Sequence, residues 1–185
     1  LTVSTGALAD QLAYQHAAVR QALDPDNLRP RILLADAVGL GKTLSLAASA
    51  MLAVLLDDGP VLILCPATLT LQWQVELKDK LGIPSAVWLS AKKVWVDEHG
   101  HIIKTRGSED ITRCPFRIAI VSTGLIIHDS DERRLLLERK FGTVVLDEAH
   151  KARRRGALGE QRGEPNNLLA FMFRSVVVPL KAAAM

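Results

Sequence analysis

Cysteine is nearly missing from this 185-residue sequence, with only Cys65 and Cys114 present. Two cysteines support neither a disulfide framework nor a cysteine-rich zinc site, which makes a reducing, intracellular location the default expectation. No apolar run is long enough to span a membrane. The longest, LSLAASAMLAVLL from Leu44 to Leu56, falls short of the roughly 18–20 residues needed. The opening LTVSTGALAD has no basic segment leading into an apolar one, so no signal peptide is expected. A strong charge imbalance is missing too. With a net charge of +3, any nucleic-acid face has to come from a local patch. Internal repeats and low-complexity tracts are absent. What remains is 49% hydrophobic residues and enough length for one α/β domain with a real core, which excludes a largely disordered chain.

Apolar periodicity then sketches the elements. Leu8, Leu12, Ala17, Val19 and Leu23 share a helical face, ended by DPDN. RILLA (Arg31 to Ala35) reads as a strand, DAVGLG as a loop, and a helix runs from Lys42 until DDGP stops it. VLILC (Val61 to Cys65), AVWL (Ala86 to Leu89), RIAIVS (Arg117 to Ser122) and TVVLD (Thr143 to Asp147) read as buried strands. PATLTLQWQVELKDKLG predicts a Pro-started helix ending at Gly82, and DSDERRLLLERK a charged helix. KKVWVDEHGHIIKT, within residues 91–106, reads as a surface hairpin. RRRGALGEQRGEPNN is a polar loop, LLAFMF looks helical, and residues 174–185 form an atypical tail. Strands alternating with helices predict an α/β fold, a mostly parallel central sheet with helices on both faces.

The stretch DAVGLGKT, Asp36 to Thr43, sits between a predicted strand and a predicted helix. That context makes a glycine pattern a testable phosphate site. Gly39 and Gly41 permit a tight turn whose N–H groups approach phosphate oxygens, and the helix start adds its positive dipole end. Lys42 would reach the β- and γ-phosphates of ATP, and the Thr43 hydroxyl would ligate Mg²⁺. The full G-x4-G-K-[ST] pattern is not met, because Asp36 stands where its first glycine would be.

Two Asp-Glu pairs follow apolar stretches. Asp147 ends a predicted buried strand, and ligands of such sheets bind at the strands' C-terminal ends. Asp147 would hold Mg²⁺, and Glu148 would polarise the attacking water as general base. The earlier pair, Asp97 and Glu98, precedes His99-Gly100 in a polar alternating segment and reads as a solvated hairpin tip. His99 and His101 lack an acidic or cysteine cluster at ligand spacing, so no metal site is expected there.

Taken in order, these segments resemble the first motor lobe of superfamily 2 helicase-like ATPases of the Swi/Snf branch. LAYQHAAV is similar to the adenine-reading Q motif, LLADAVGLGKT to motif I, and LILCPATLTLQWQVEL to motif Ia with its Leu69, Gln72 and Trp73 pattern. IAIVSTGLI is similar to motif Ib and VVLDEAHKAR to motif II. The wording of motifs I and Ia favours the bacterial branch related to the RNA-polymerase-recycling ATPase. The resemblance covers residues 8–155 and implies a RecA-like P-loop domain over residues 1–173. It implies an ATP-driven translocase on double-stranded DNA, cytoplasmic and nucleoid-associated. ATP would be bound by Gln15, Asp36, Val38, Gly39, Leu40, Gly41, Lys42 and Thr43, with Gln15 reading the adenine. His150 would couple hydrolysis to nucleic-acid contact. Strand contacts would come from Pro66, Ala67, Gln72, Ser122 and Thr123; Trp73 fits either such a contact or core packing. The implied partners are DNA, a second RecA-like lobe, and a protein such as RNA polymerase or a defence complex, with no membrane.

The sequence departs from the pattern in places. Ala37 stands where this branch usually carries Glu, motif III is not found after NNLLAFM, and no second lobe follows. Without that lobe's arginine finger the chain is expected to bind ATP and hydrolyse it slowly, since such a finger supplies about 10³–10⁵ in rate. Further cations available to phosphates are Lys78, Lys80, Lys92, Lys93, Lys151, Arg153, Arg154 and Arg155, each of which also fits a solvated basic surface. Two rival readings stay open: an RNA-directed superfamily 2 helicase, and a nucleotide-binding partner module without turnover. A metabolic P-loop kinase is more distant, because it gives the motif Ia and DEAH segments no task.

Overall fold

The computed structural model describes residues 17, 20, 42–55, 59–154 and 163–174. The strand expected at 31–35 and the tail from 175 onward lie outside the described residues.

Helix α1 spans Lys42–Leu55, and strand β1, Val61–Cys65, follows it. After a single 3-10 turn at Ala67–Leu69 comes α2, Thr70–Leu81. Strands β2 (Ser85–Leu89), β3 (Val94–Asp97) and β4 (Ile102–Ile103) precede β5 (Ile118–Ser122). Helices α3 (Thr123–Ile127) and α4 (Asp131–Glu138), strand β6 (Thr143–Leu146) and helix α5 (Asn167–Arg174) complete the order.

The strands pair in the order β4-β3-β2-β5-β1-β6. β1 lies between β5 and β6, parallel to both, and β2 is parallel to β5. β3 and β4 add an antiparallel edge. Period-two alternation divides the sheet into two faces. Val61, Ile63, Cys65, Val87, Ile118, Ile120 and Val145 pack under α1 and α2, against Ala47, Ala50, Met51, Trp73 and Leu77. Leu62, Leu64, Ala86, Trp88, Ala119 and Val121 face Ile126, Leu136, Leu168 and Phe171 of α3, α4 and α5. Both faces of β1 are covered, which is why VLILC reads as an unbroken apolar run.

Helix α2 shows how local chemistry sets an element. Thr70, Trp73, Gln74 and Leu77 form its buried stripe at helical spacing. Gly82, at φ 65° and ψ 29°, takes the left-handed cap. The N–H of Ile83 reaches the Leu77 carbonyl at 3.1 Å and Ile83 returns to the core, a Schellman ending. Lys78 and Lys80 in the last turn complement the dipole.

The expected hairpin forms, β3 pairing with β4 around a tip exposed at His99 and Gly100, and it also extends the main sheet as its edge. Trp95 of β3 is 1% exposed, and its indole N–H donates to the Asp110 carbonyl at 2.9 Å. Buried Gln74 on α2 donates to the carbonyls of Ser85 and Val96, tying β2 and β3 to the helix layer. The large apolar ring and the ladder to β2 draw this segment inward.

Candidate functional site

Parallel pairing puts the carboxyl ends of β1, β5 and β6, at Cys65, Ser122 and Leu146, on one rim of the sheet. Helix α1 ends five positions before Pro60, so it runs back along the sheet and its first residues, Lys42 and Thr43, lie toward that rim. Gln15, Asp36, Val38, Gly39, Leu40 and Gly41 lie outside the described residues.

Asp147 follows β6 directly. Its N–H donates to the Leu64 carbonyl at 2.8 Å, which pins the strand end to β1. Both carboxylate oxygens are held. The indole N–H of Trp73 donates to Oδ2 at 3.0 Å, and the N–H of Glu148 donates to Oδ1 at 2.9 Å. A carboxylate oxygen accepts more than one bond, so both keep capacity for a cation or its water. Burial, and then the Asp147 charge, push the Cys65 thiol up to about 12. It is an inert core group at neutral pH.

Glu148 leaves the strand abruptly, with φ 56° and ψ 49°, a left-handed conformation rare outside glycine. A single 3-10 turn, Ala149–Lys151, follows. His150 Nδ1 lies 3.1 Å from Glu148 Oε2, and both side chains are open to solvent. Asp147 offers two carboxylate oxygens, the donor type that Mg²⁺ takes, on the rim toward which α1 begins.

The residues expected to touch nucleic acid separate into two sets. Pro66 is half-buried and Ala67 is exposed, both at the turn between β1 and α2, and Gln72 is exposed in the first turn of α2. For Trp73 the core-packing alternative holds and the strand contact is corrected: it is 1% exposed, and its polar edge is committed to Asp147, so it does not present a surface to a strand. Thr123 is buried as well, which removes its side chain from that surface. Ser122 caps α3, its hydroxyl accepting from the Gly124 N–H.

Among the basic candidates, Lys93 is paired with buried Glu132, which also accepts from the Ser108 hydroxyl, so it is a structural cation. Lys80 pairs with Glu76 at 3.5 Å, and Lys78 donates to the Glu98 carbonyl at 3.2 Å. Lys92 and Arg153 are exposed and Lys151 is half-buried; Arg154 donates to the Gly163 carbonyl. Arg155 lies outside the described residues.

Asp97 and Glu98 do form a hairpin tip, but not a solvated one. Each side chain is 13% exposed. Asp97 Oδ1 accepts from the N–H groups of His99 and His101, and Oδ2 meets His101 Nδ1 at 3.0 Å. Desolvation alone would raise this carboxyl, yet the bonds from His101 and His99 outweigh it and hold it below its ordinary range. Among the described residues, no group of three or more His, Cys, Asp or Glu is placed to hold a metal.

Asn166 escaped the sequence reading. Its side chain donates to the Lys151 carbonyl at 2.6 Å and accepts from the Leu169 N–H. It therefore caps α5 and fastens that helix to the turn after Glu148. A cap residue before LLAFMF was the available signal.

A mostly parallel sheet wound on both faces, with an acidic strand end at its carboxyl rim, is a RecA-like α/β domain. Two solved structures share this fold. The Sulfolobus solfataricus SWI2/SNF2 ATPase core in complex with dsDNA is similar at TM-score 0.59 and 24% identity, over 80% of this chain and 28% of that one. The Sulfolobus solfataricus SWI2/SNF2 ATPase core domain is similar at TM-score 0.61 and 19% identity, over 94% and 30%. The SNF2-related domain model matches residues 14–161, and the chain belongs to that family. The RNA polymerase-associated protein RapA of Pseudomonas aeruginosa (strain LESB58) is 32% identical over 150 residues, covering 78% of this chain and 14% of that protein. RapA of Pseudomonas savastanoi pv. phaseolicola (strain 1448A / Race 6) is 31% identical over 168 residues, covering 86% and 16%. The chain thus spans about one seventh of these relatives.

Proposed function

We propose that this chain is the first motor lobe of an ATP-driven translocase on double-stranded DNA, working in the bacterial cytoplasm at the nucleoid. The observation that carries the reading is the Asp147 carboxylate. It stands at the end of a parallel strand, held at both oxygens, on the rim toward which α1 begins. A Swi/Snf neighbour solved with dsDNA and RNA-polymerase-associated relatives support DNA and RNA polymerase as partners.

In this reading Lys42 neutralises phosphate charge, and Thr43 and Asp147 hold Mg²⁺. The ion, when bound, draws charge from the phosphate oxygens. Glu148 orients water and takes its proton, and His150, 3.1 Å from its carboxylate, ties that step to events outside the lobe. Pro66, Ala67 and Gln72 touch the strand's backbone, which positions DNA without reading sequence. A second lobe supplies the remaining cation at the phosphate.

The test is ATP turnover of this chain and of its two-lobed form, at fixed salt, with duplex DNA, single-stranded DNA or single-stranded RNA. Stimulation of the two-lobed form by duplex DNA, with little turnover from this chain, is expected. Stimulation by RNA alone would favour the RNA helicase reading. ATP binding without turnover in either form would leave a nucleotide-gated partner module.

A further inference from the structure

Trp73 stands 74 positions before the carboxylate it meets. It is buried in the same apolar cluster as Ala47, Ala50 and Met51 of α1, Cys65 of β1 and Val145 of β6. A ring of that size has many ways to pack. Here its one polar atom emerges from the cluster at Asp147 Oδ2, at 3.0 Å. The other oxygen is held by the Glu148 N–H, so the carboxylate cannot rotate without losing one bond or the other.

We infer that Trp73 is a positioning residue for Asp147, fixing the carboxylate in the orientation in which it receives Mg²⁺. The inference rests on the metal role proposed above for Asp147. It also assigns α2 two tasks: its exposed first turn, at Gln72, belongs to the strand-contact surface, and the next residue orders the nucleotide end. Outer partners of ligating carboxylates shift metal affinity by about 10–100-fold when lost.

The chain's three tryptophans make this directly measurable. The Trp95 indole N–H donates to a backbone carbonyl, and that of Trp88 has no partner among the described residues. In ¹H–¹⁵N spectra of the nucleotide-free chain, the indole resonance lost in Trp73→Phe is expected to move toward the free-indole position in Asp147→Ala. A Trp73 resonance indifferent to Asp147→Ala overturns the inference. The second readout is AMP-PNP affinity of Trp73→Phe, measured in MgCl₂ and in EDTA. A loss of about tenfold or more in MgCl₂, with the EDTA value unchanged, is expected. An equal loss in both, or none, marks a packing role and overturns it. The Trp88 and Trp95 resonances report whether the variant is folded; if it is not, the Asp147→Ala spectrum decides. An Asp147→Ala chain whose Mg²⁺ dependence is intact overturns the metal assignment itself, and is told apart because the carboxylate change is then silent.

Discussion

Two Asp-Glu pairs end two strands of one sheet, each followed closely by histidine, and the molecule uses them in opposite ways. Asp97 is satisfied by its own turn, through the N–H groups of His99 and His101. Asp147 is satisfied by Glu148 beside it and by an indole from another helix. A carboxylate whose partners lie within four residues is a turn device. One whose orientation depends on another element registers how those elements are packed. The same dipeptide therefore serves the fold at the antiparallel edge and, in the proposed function, the nucleotide at the parallel rim.

The largest effect should come from the residue proposed as general base. Glu148→Gln is expected to reduce DNA-stimulated ATP turnover of the two-lobed protein by about 10²–10⁴ with nucleotide binding retained. Glu98→Gln should leave turnover within about twofold by the same assay. Loss of activity in both would erase the distinction. Next, Gln74→Met should destabilise the chain by about 1–3 kcal/mol in urea unfolding, because it removes the two bonds that the buried amide gives to the Ser85 and Val96 carbonyls. Asp97→Ala should lower the thermal midpoint only slightly and leave nucleotide affinity unchanged. The smallest effect is a pH dependence. Asp97 ionises below its ordinary range when folded, so its contribution is complete above the unfolded value and fades as pH falls through the folded one. Acid unfolding of Asp97→Asn should lack that component.

Much of the fold was legible because it is written locally. β1 coincides with the predicted run Val61 to Cys65, and α2 ends at Gly82 as its pattern predicted. The family was legible from five short motifs in order, and the SNF2-related match bears that out. What escaped were pairings between distant segments. Nothing near Trp73 says that its indole will find a carboxylate from β6, and nothing near Lys93 announces buried Glu132. From sequence Lys93 counts among the cations available to phosphates and Trp73 stays between strand contact and core packing, because amphipathic side chains read alike in sequence whether their polar end is solvated or committed. The hairpin is legible only in part for the same reason: its turn and polar tip are evident, while the docking of Trp95 and Gln74 is not.

The left-handed backbone at Glu148 has a geometric consequence of its own. Along a pleated strand, neighbouring side chains point to opposite sides, so two consecutive acids could never serve one substrate from within β6. The twist at Glu148 ends the alternation there and turns a sequence neighbour into a potential co-worker. It does so with strain on the order of 1 kcal/mol, which a glycine would relieve. Glu148→Gly should thus cost little stability while removing the carboxylate: the acid sits where backbone comfort alone would put a hydrogen atom.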